Sequence, residues 1–244
     1  MAQDGGKVAV VWGAGGGIGA GLVRALLARG DVAQIYAGSR DGRAGAGMAG
    51  VTPFAYDLMD EASIAGAVAR MGGRLDLVIV ASGVLHDAAH GVAPEKSLRA
   101  IDGAAMARVL AVNTIGPALI AKHTLARLPR DRRAVWAALS ARVGSIGDNR
   151  LGGWHAYRAS KAALNMLIAN FAIETARTHP HAVIAALHPG TVASDLSAPF
   201  RAGVAPDRLF TPDISAGHLL RVLDGLTPGE SGGLYAWDGA RVPW

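Results

Sequence analysis

Short apolar runs alternate with longer segments of helical periodicity along most of the chain. Runs with the length and composition of buried strands occupy residues 8–12, 34–38, 52–56, 75–80, 134–139, 182–187 and 233–237. Helices are predicted over residues 18–29, 63–71, 104–128 and 154–178. Strands that alternate with helices build a parallel sheet covered on both faces. The pattern therefore predicts the α/β class: a single doubly wound domain with a mainly parallel sheet of about seven strands flanked by helices.

The predicted helices at 104–128 and 154–178 are apolar over most of their circumference. A helix that is hydrophobic on all sides has to be covered on its outer side as well. Other parts of the chain, or a second copy of the protein, would provide that cover. We therefore expect a homodimer or homotetramer, with burial inside one subunit as the alternative.

The length and composition are those of one domain. The chain has 244 residues, of which 51% are apolar, and no segment resembles a linker. Residues 1–244 are therefore expected to form one domain. The chain has no Cys, no signal-peptide pattern at its start and no run near the roughly 20 apolar residues that cross a bilayer. We expect a cytoplasmic protein with no membrane partner.

The net charge of +5 does not by itself indicate a nucleic-acid partner. The Arg residues are scattered, apart from the short segment 130–133, whereas nucleic-acid-binding proteins concentrate charge on one face and interleave aromatic residues. A solvated surface, with one or two Arg side chains serving an anionic cofactor, fits this distribution better. The histidines show no metal-ligand spacing with acidic partners, so we expect no metal site and no nucleic-acid partner.

Tyr157 and Lys161 are the most informative pair of side chains in the chain. Four residues apart on the predicted helix 154–178, they lie on one face, one turn from each other. A phenol has an unperturbed pKa of about 10, and an adjacent ammonium group favours its ionised form. The pair therefore indicates a tyrosine that acts as a proton donor or acceptor near neutral pH.

A glycine-rich turn, Gly13-Ala14-Gly15-Gly16-Gly17-Ile18-Gly19, joins the first strand to the first helix. Glycines allow a tight turn and let backbone amides approach a pyrophosphate, whose charge then meets the helix N-terminus. With 33 Gly in the chain the pattern alone is weak evidence, but its position directly after an apolar strand is that of a Rossmann-type nucleotide site. The expected cofactor contacts in this turn are Gly13, Gly17, Ile18 and Gly19.

The end of the second strand indicates which dinucleotide binds. An acidic residue here usually holds the ribose 2′-hydroxyl of NAD, whereas an Arg accommodates the 2′-phosphate of NADP. Ser39 and Arg40 favour NADP(H) over NAD(H), while Asp41 is the counter-argument unless it serves as a turn residue. Asp57, followed by Leu58, is the candidate to accept from the adenine amino group, with capping of the next turn as its alternative.

Over its whole length the chain resembles the short-chain dehydrogenases/reductases. The resemblance rests on the glycine turn, the Tyr-xxx-Lys pair, the segment Pro189-Gly190-Thr191 and Asn113 in a helix. The segments 140–149, 157–165 and 237–239 are similar to the C-factor-like branch, which includes C-signal and sniffer-type carbonyl reductases.

The resemblance implies a role for each matching residue. Tyr157 would be the general acid for carbonyl reduction, Lys161 would lower its pKa and hold the nicotinamide ribose, and Asn113 would keep a water in the proton path. A buried amide that bridges backbone groups is the alternative for Asn113. The remaining contacts to the cofactor that the resemblance implies are Gly83, Pro189, Gly190 and Thr191, the last at the nicotinamide carboxamide.

Two positions depart from the family pattern. The Asn of the family's Asn-Ala-Gly is Ala81 here, and Ser82 is expected to replace part of its role. The serine that usually hydrogen-bonds the substrate oxygen is Ala141. Strand alternation is expected to point Ser140 to the opposite face, so Ser145 is the predicted substitute. The alternatives are that Ser140 shifts inward or that no hydroxyl is used.

The apolar, Pro-containing segment 194–211 lies between a strand end and the next helix, where a substrate lid is expected, with a packed surface loop as the alternative. Together these features predict an NADP(H)-dependent oxidoreductase that reduces a ketone or aldehyde, or oxidises the alcohol. Ala81 and Ala141 motivate the alternative, a nucleotide-binding regulatory or signalling protein on the same fold with little catalysis.

Overall fold

The structure is a computed structural model that describes residues 6–200, 205 and 208–244. Its strands are β1 (Lys7–Trp12), β2 (Val32–Ser39), β3 (Val51–Ala55), β4 (Leu77–Val80), β5 (Ala134–Leu139), β6 (Ala182–His188), β7 (Thr191–Val192), β8 (Leu209–Phe210), β9 (Leu234–Ala236) and β10 (Arg241–Val242). Eight of them form one sheet in the order β10-β9-β6-β5-β4-β1-β2-β3, and β7 pairs with β8 separately.

The sheet is parallel except at one edge. Strands β1 to β6 and β9 run in the same direction, and β10 pairs antiparallel with β9. The predicted α/β class, with a mainly parallel sheet flanked by helices, is confirmed. From β1 the strand order runs to β2 and β3 on one side and to β4, β5 and β6 on the other. The carboxyl ends of β1 and β4 therefore border a crevice. Ligands bind at such a switch point in open α/β sheets.

Helices cover both faces of the sheet. They are α1 (Gly17–Leu27), α2 (Glu61–Ala69), α3 (Gly103–Leu110), α4 (Gly116–Thr124), α5 (His155–Ala176) and α6 (Pro212–Gly225). Leu22 of α1 and Leu219 of α6 are buried against one face, whereas Ile64 of α2, Ile120 of α4 and Leu164 of α5 are buried against the other. These two cores hold α1 and α5, the helices that carry predicted site residues, against the sheet.

Helices α3 and α4 form one helical stretch, Gly103–Arg127, which is interrupted by a π-helical turn over Ala111–Ile115. By length and composition this stretch is apolar enough to cross a membrane, but a core helix of a water-soluble protein has the same properties. Ile120 and Ala121 are fully buried against the sheet. The expectation of no membrane partner therefore stays a prediction.

Candidate active site

The turn between β1 and α1 leaves no room for side chains at two of its glycines. A Cβ atom at Gly19 would overlap the carbonyl oxygen of Gly13 and lie 2.8 Å from its carbon. Gly13 has a φ of 82°, and a Cβ atom there would lie 2.8 Å from the backbone nitrogen of Ser82. The turn folds back on β2, because the N–H groups of Gly13 and Ala14 both donate to the carbonyl of Gly38 (3.0 and 2.8 Å).

This bare backbone fits the phosphates of a dinucleotide. Helix α1 begins at Gly17, so the last three residues of the glycine turn form its first turn. The first N–H groups of a helix have no partner within it. These groups and the helix dipole favour an anion. The predicted contacts Gly13, Gly17, Ile18 and Gly19 therefore surround a surface suited to a pyrophosphate.

Asp41 is engaged within its own turn. Its carboxylate accepts from the Ser39 hydroxyl (2.7 Å) and from the backbone N–H of Arg43 (3.1 Å). The hydrogen bond from Ser39 holds the pKa of Asp41 below its usual range. Arg40 is exposed beside this turn, and within the described part of the chain it forms no ion pair. The geometry gives Asp41 the turn role that the sequence left open.

Asp57 and Leu58, which follow β3, both make contacts within the chain. The Asp57 carboxylate accepts from the backbone N–H of Met59 (2.8 Å), which is the capping role given above as its alternative. Leu58 packs against the position of Gly116 in α4. Contacts of Asp57 and Leu58 with adenine stay a prediction.

Ser82, just after β4, lies between Gly13 of the glycine turn and Tyr56, which follows β3. Its hydroxyl shares a 2.8 Å hydrogen bond with the hydroxyl of Tyr56. The Tyr56 ring packs edge-on against Trp12 of β1, with 4.8 Å between the centroids. Tyr56 was not predicted as a site residue, because the apolar pattern of the predicted strand 52–56 carries no signal for this polar contact. Ser82 thus links the end of β4 to Tyr56. It lies next to Ala81, which stands where the family pattern has an Asn.

Tyr157 and Lys161 lie together on the inner side of α5. The Lys161 ammonium group is 5.8 Å from the centroid of the Tyr157 ring, and it donates to the carbonyl of Leu139 at the end of β5 (2.8 Å). Burial raises the pKa of Tyr157 to about 12 and lowers the pKa of Lys161 to about 8. At neutral pH the phenol is therefore protonated while the lysine keeps most of its charge. The lowering of the Tyr157 pKa by Lys161 that the resemblance implies is not seen, because burial of the phenol raises that pKa.

Asn113 lies in the π-helical turn and is fully buried. Its side-chain oxygen accepts from the N–H of Val84, and its amide nitrogen donates to the carbonyl of Val84 (both 2.8 Å) and to the hydroxyl of Ser160 (3.0 Å). The side chain therefore bridges backbone groups, which is the alternative given for it above. A Cβ atom at Gly83 would lie 3.5 Å from the Asn113 side-chain oxygen and 3.6 Å from the Lys161 ammonium nitrogen. The structure thus brings Asn113, Gly83 and Lys161 together.

The two candidate serines make different contacts. Ser140 donates to the side-chain oxygen of Asn165 in α5 (2.7 Å). It therefore lies on the α5 side of the sheet, the face opposite to that of Leu139, and Ser145 stays the predicted substitute. Trp136 and Ala138 of β5 already face the α5 side, and Ser140 continues their alternation. The hydroxyl of Ser145 is buried and accepts from the N–H of Asp148 (3.1 Å).

The segment after β6 reaches the same end of the sheet. The carbonyl of Pro189 accepts from the Ser215 hydroxyl of α6 (2.9 Å), and Gly190 lies against the ring of Phe210. Thr191 is half-buried in β7. The predicted lid 194–211 follows. Its residues 201–204, 206 and 207 lie outside the described part of the chain.

An aromatic cluster covers Tyr157. The ring of Trp154 is 6.3 Å from the Tyr157 ring and 5.1 Å from the Phe200 ring, and the His86 ring is 5.9 Å from that of Phe200. Trp154 and the role of Phe200 next to it were not predicted, because the two residues are far apart in sequence and neither lies in a recognisable motif. Trp154 and Phe200 thus form an aromatic wall on one side of Tyr157.

Known proteins match this chain over most of its length. Residues 7–205 match the sequence profile of the family described as short chain dehydrogenase. A 1-hydroxy-2-glutathionyl-2-methyl-3-butene dehydrogenase from Rhodococcus sp. (strain AD45) is 30% identical over 239 residues, which are 96% of this chain and 98% of that protein. C-signal from Myxococcus xanthus is 36% identical over 145 residues, which are 59% of this chain and 81% of that protein.

Solved structures with the same fold include two carbonyl reductases. The NADPH-bound carbonyl reductase from chicken fatty liver superposes with a TM-score of 0.83 at 28% identity, over 98% of this chain and 94% of that one. Carbonyl reductase Sniffer of D. melanogaster gives a TM-score of 0.83 at 22% identity, over 98% and 99% of the two chains, which is evidence for the fold alone. The chain therefore belongs to the short-chain dehydrogenase/reductase family and is an NAD(P)-dependent oxidoreductase.

Proposed function

We propose that the protein is an NADP(H)-dependent carbonyl reductase or alcohol dehydrogenase that uses Tyr157 as its general acid or base. The observation that carries the proposal is the pair of half-buried Tyr157 and buried Lys161, together with a glycine turn that is free of side chains. The pair provides the proton chemistry, and the turn provides a surface for the phosphates of the cofactor. The NADPH bound to the chicken carbonyl reductase supports the choice of cofactor.

The site residues handle the proton of the reaction. The bound cofactor would supply or accept the hydride. A carbonyl group that is being reduced develops negative charge on its oxygen, which needs a proton donor within hydrogen-bond reach. Tyr157 is protonated at neutral pH because its pKa is about 12, so it can donate. The charge on Lys161 would then stabilise the phenolate that is left, and this support weakens as the pH rises through about 8.

Other residues would hold the cofactor and the substrate oxygen. The glycine turn would contact the pyrophosphate, Lys161 the ribose and Thr191 the carboxamide. Arg40 would contact the 2′-phosphate, with Ser39 next to it in a turn where the Ser39 hydroxyl donates to Asp41. For a second hydrogen bond to the substrate oxygen we propose Ser145. Its oxygen accepts from Asp148, so its proton is available, whereas Ser140 already donates its proton to Asn165.

A carbonyl screen tests the function. Purified protein with NADPH is offered benzaldehyde, diacetyl and phenanthrenequinone, which represent aldehydes, diketones and quinones, and the loss of NADPH absorbance is recorded. We expect turnover with at least one of them. Tight NADPH binding with no oxidation by any of them would favour the regulatory alternative, which Ala141 motivates.

Arg40 is expected to set the preference for NADP(H). Because a charge-assisted hydrogen bond contributes about 1.5–3 kcal/mol, Arg40→Ala should weaken NADPH binding roughly 10- to 100-fold and leave NADH binding within about twofold. The measurement is the Kd of each cofactor by fluorescence titration. Arg177→Ala, an exposed Arg just past the far end of α5, is the matched control. Equal losses for NADPH and NADH would contradict the assignment.

We also propose that the protein forms a homodimer or homotetramer through the outer faces of α4 and α5. Met166 and Ile173 of α5 expose 63% and 61% of their surface, and Ile115, directly before α4, exposes 54%. Charging this face with Met166→Lys should shift the sedimentation coefficient of the protein towards that of a monomer. A wild-type protein that already sediments as a monomer would contradict the proposal.

Three further proposals concern the segment 194–211, the location of the protein and its substrate. The segment 194–211 is proposed as a substrate lid, and the contact between Phe200 and Trp154 supports it. A cytoplasmic location is consistent with the absence of Cys. The substrate is proposed to be a small carbonyl compound or alcohol.

A further inference from the structure

Helix α5, which carries Tyr157 and Lys161, has no cap of its own. The residue before its first turn is Trp154, which has a left-handed backbone (φ 50°, ψ 44°) and a side chain that makes no capping bond. Gly152 and Gly153 are left-handed as well, with φ of 63° and 66°. This region is strained for a bulky residue, so such a conformation persists only where its surroundings hold it.

Glu95 supplies what α5 lacks. Its backbone carbonyl accepts from the N–H of Trp154 (2.6 Å), and its two carboxylate oxygens lie 3.2 and 3.3 Å from the N–H of Ala156. The residue is 6% exposed, and within the described residues its carboxylate forms no ion pair. A buried carboxylate needs compensation. The N–H of Ala156 and the positive end of α5 provide it.

The loop that carries Glu95 is held in place at two of its residues, Val84 and Val92. At its start, Val84 is held by both polar groups of the Asn113 side chain. Further along, Val92 is buried in a small cluster with Val109 and with Ala156 of α5. The loop therefore links the π-helical turn at Asn113 to the first turn of α5.

We propose that Glu95 is a positioning residue, which holds Tyr157 and the wall formed by Trp154 and Phe200 in place for the reaction. This inference rests on the proposed function. Ala156 directly precedes Tyr157, and Trp154 packs against both Tyr157 and Phe200. A loss of the Glu95 carboxylate would leave the N–H of Ala156 without this partner and loosen the first turn of α5, while the Glu95 carbonyl would still accept from Trp154. The loosened turn would displace the proton donor relative to the substrate.

The kinetic test compares Glu95→Ala, Glu95→Gln and the exposed neighbour Lys96→Ala, with NADPH and the carbonyl that gives the fastest turnover in the screen. Because a small misplacement of reacting groups is costly, Glu95→Ala should lower kcat about 10- to 100-fold and raise the KM for the carbonyl. The NADPH Kd should stay within about twofold. Glu95→Gln keeps an oxygen acceptor for Ala156 and should recover most of kcat, and Lys96→Ala should match the wild type.

A second measurement does not depend on turnover. Hydrogen exchange of a peptide covering residues 152–160 should be about tenfold faster in Glu95→Ala, and exchange in β5 should be unchanged. If the wild type reduces none of the three carbonyls, the proposed function fails, and this exchange result still decides whether Glu95 holds α5. Unchanged exchange overturns the proposal. A lowered melting temperature with wild-type kcat also overturns it, because Glu95 would then be purely structural.

Discussion

Tyr157→Phe should lower kcat for carbonyl reduction by about a thousandfold and leave the NADPH Kd within about twofold. The substitution removes one hydroxyl from a half-buried ring and leaves the packing against Trp154 in place. General acid catalysis contributes about 10²- to 10⁴-fold, and a Phe ring has no proton to replace it. The measurement is kcat from NADPH absorbance, with the cofactor Kd from fluorescence. Tyr36→Phe is the matched control, because its hydroxyl accepts from the N–H of Gly72 at the end of α2, away from the site.

The pH dependence gives the Tyr157 prediction a second readout. The phenol keeps its proton across the neutral range because its pKa is about 12, and Lys161 is charged below about pH 8. Reduction by the wild type should therefore fall as the pH rises through about 8, where the support for the phenolate is lost. The residual activity of Tyr157→Phe should not follow this profile. Turnover near the wild-type level in Tyr157→Phe would show that another group donates the proton.

The central strands and the Tyr157–Lys161 pair could be predicted because their information is local. Buried parallel strands are continuous apolar runs, and two residues four apart on a helix share a face whatever surrounds them. Strand β10, with two residues, is too short for any periodicity, and its antiparallel pairing depends on β9. Short edge strands of this kind carry no signal in a single sequence.

The polar contacts of the site could not be predicted because they join distant parts of the chain. Glu95 and Ala156 are 61 positions apart, and Asn113 and Val84 are 29 apart. Nothing in the sequence near Glu95 distinguishes it from a surface carboxylate. The proposed role of Glu95 follows from the missing side-chain cap at the N-terminus of α5. That cap is missing where Trp154 has a left-handed backbone. Such dependencies appear only when the tertiary structure is known.

Gly19→Ala should weaken NADPH binding about a hundredfold or more. A methyl group at this position overlaps the carbonyl oxygen of Gly13 and lies 2.9 Å from the Cα of Ala14. Both neighbours are backbone atoms, so they cannot rotate away as a flexible side chain would. The turn has to move, and each charge-assisted bond from a backbone N–H to the pyrophosphate that is lost costs about 1.5–3 kcal/mol. The measurement is the Kd of NADPH by fluorescence titration, with the melting temperature recorded to identify a folding defect.

Two further substitutions separate a defect of the turn from a general cost of replacing glycine. Gly217→Ala in α6 has no atom within 4 Å of the added methyl, so binding should be unchanged and the helix slightly more stable. Gly17→Ala would bring its methyl 3.3 Å from the Pro212 ring, a tight contact with a side chain, and its effect should be intermediate. The order Gly19, Gly17, Gly217 in loss of affinity follows from the space at each position. If Gly19→Ala folds and binds NADPH like the wild type, the cofactor phosphates do not lie on this turn.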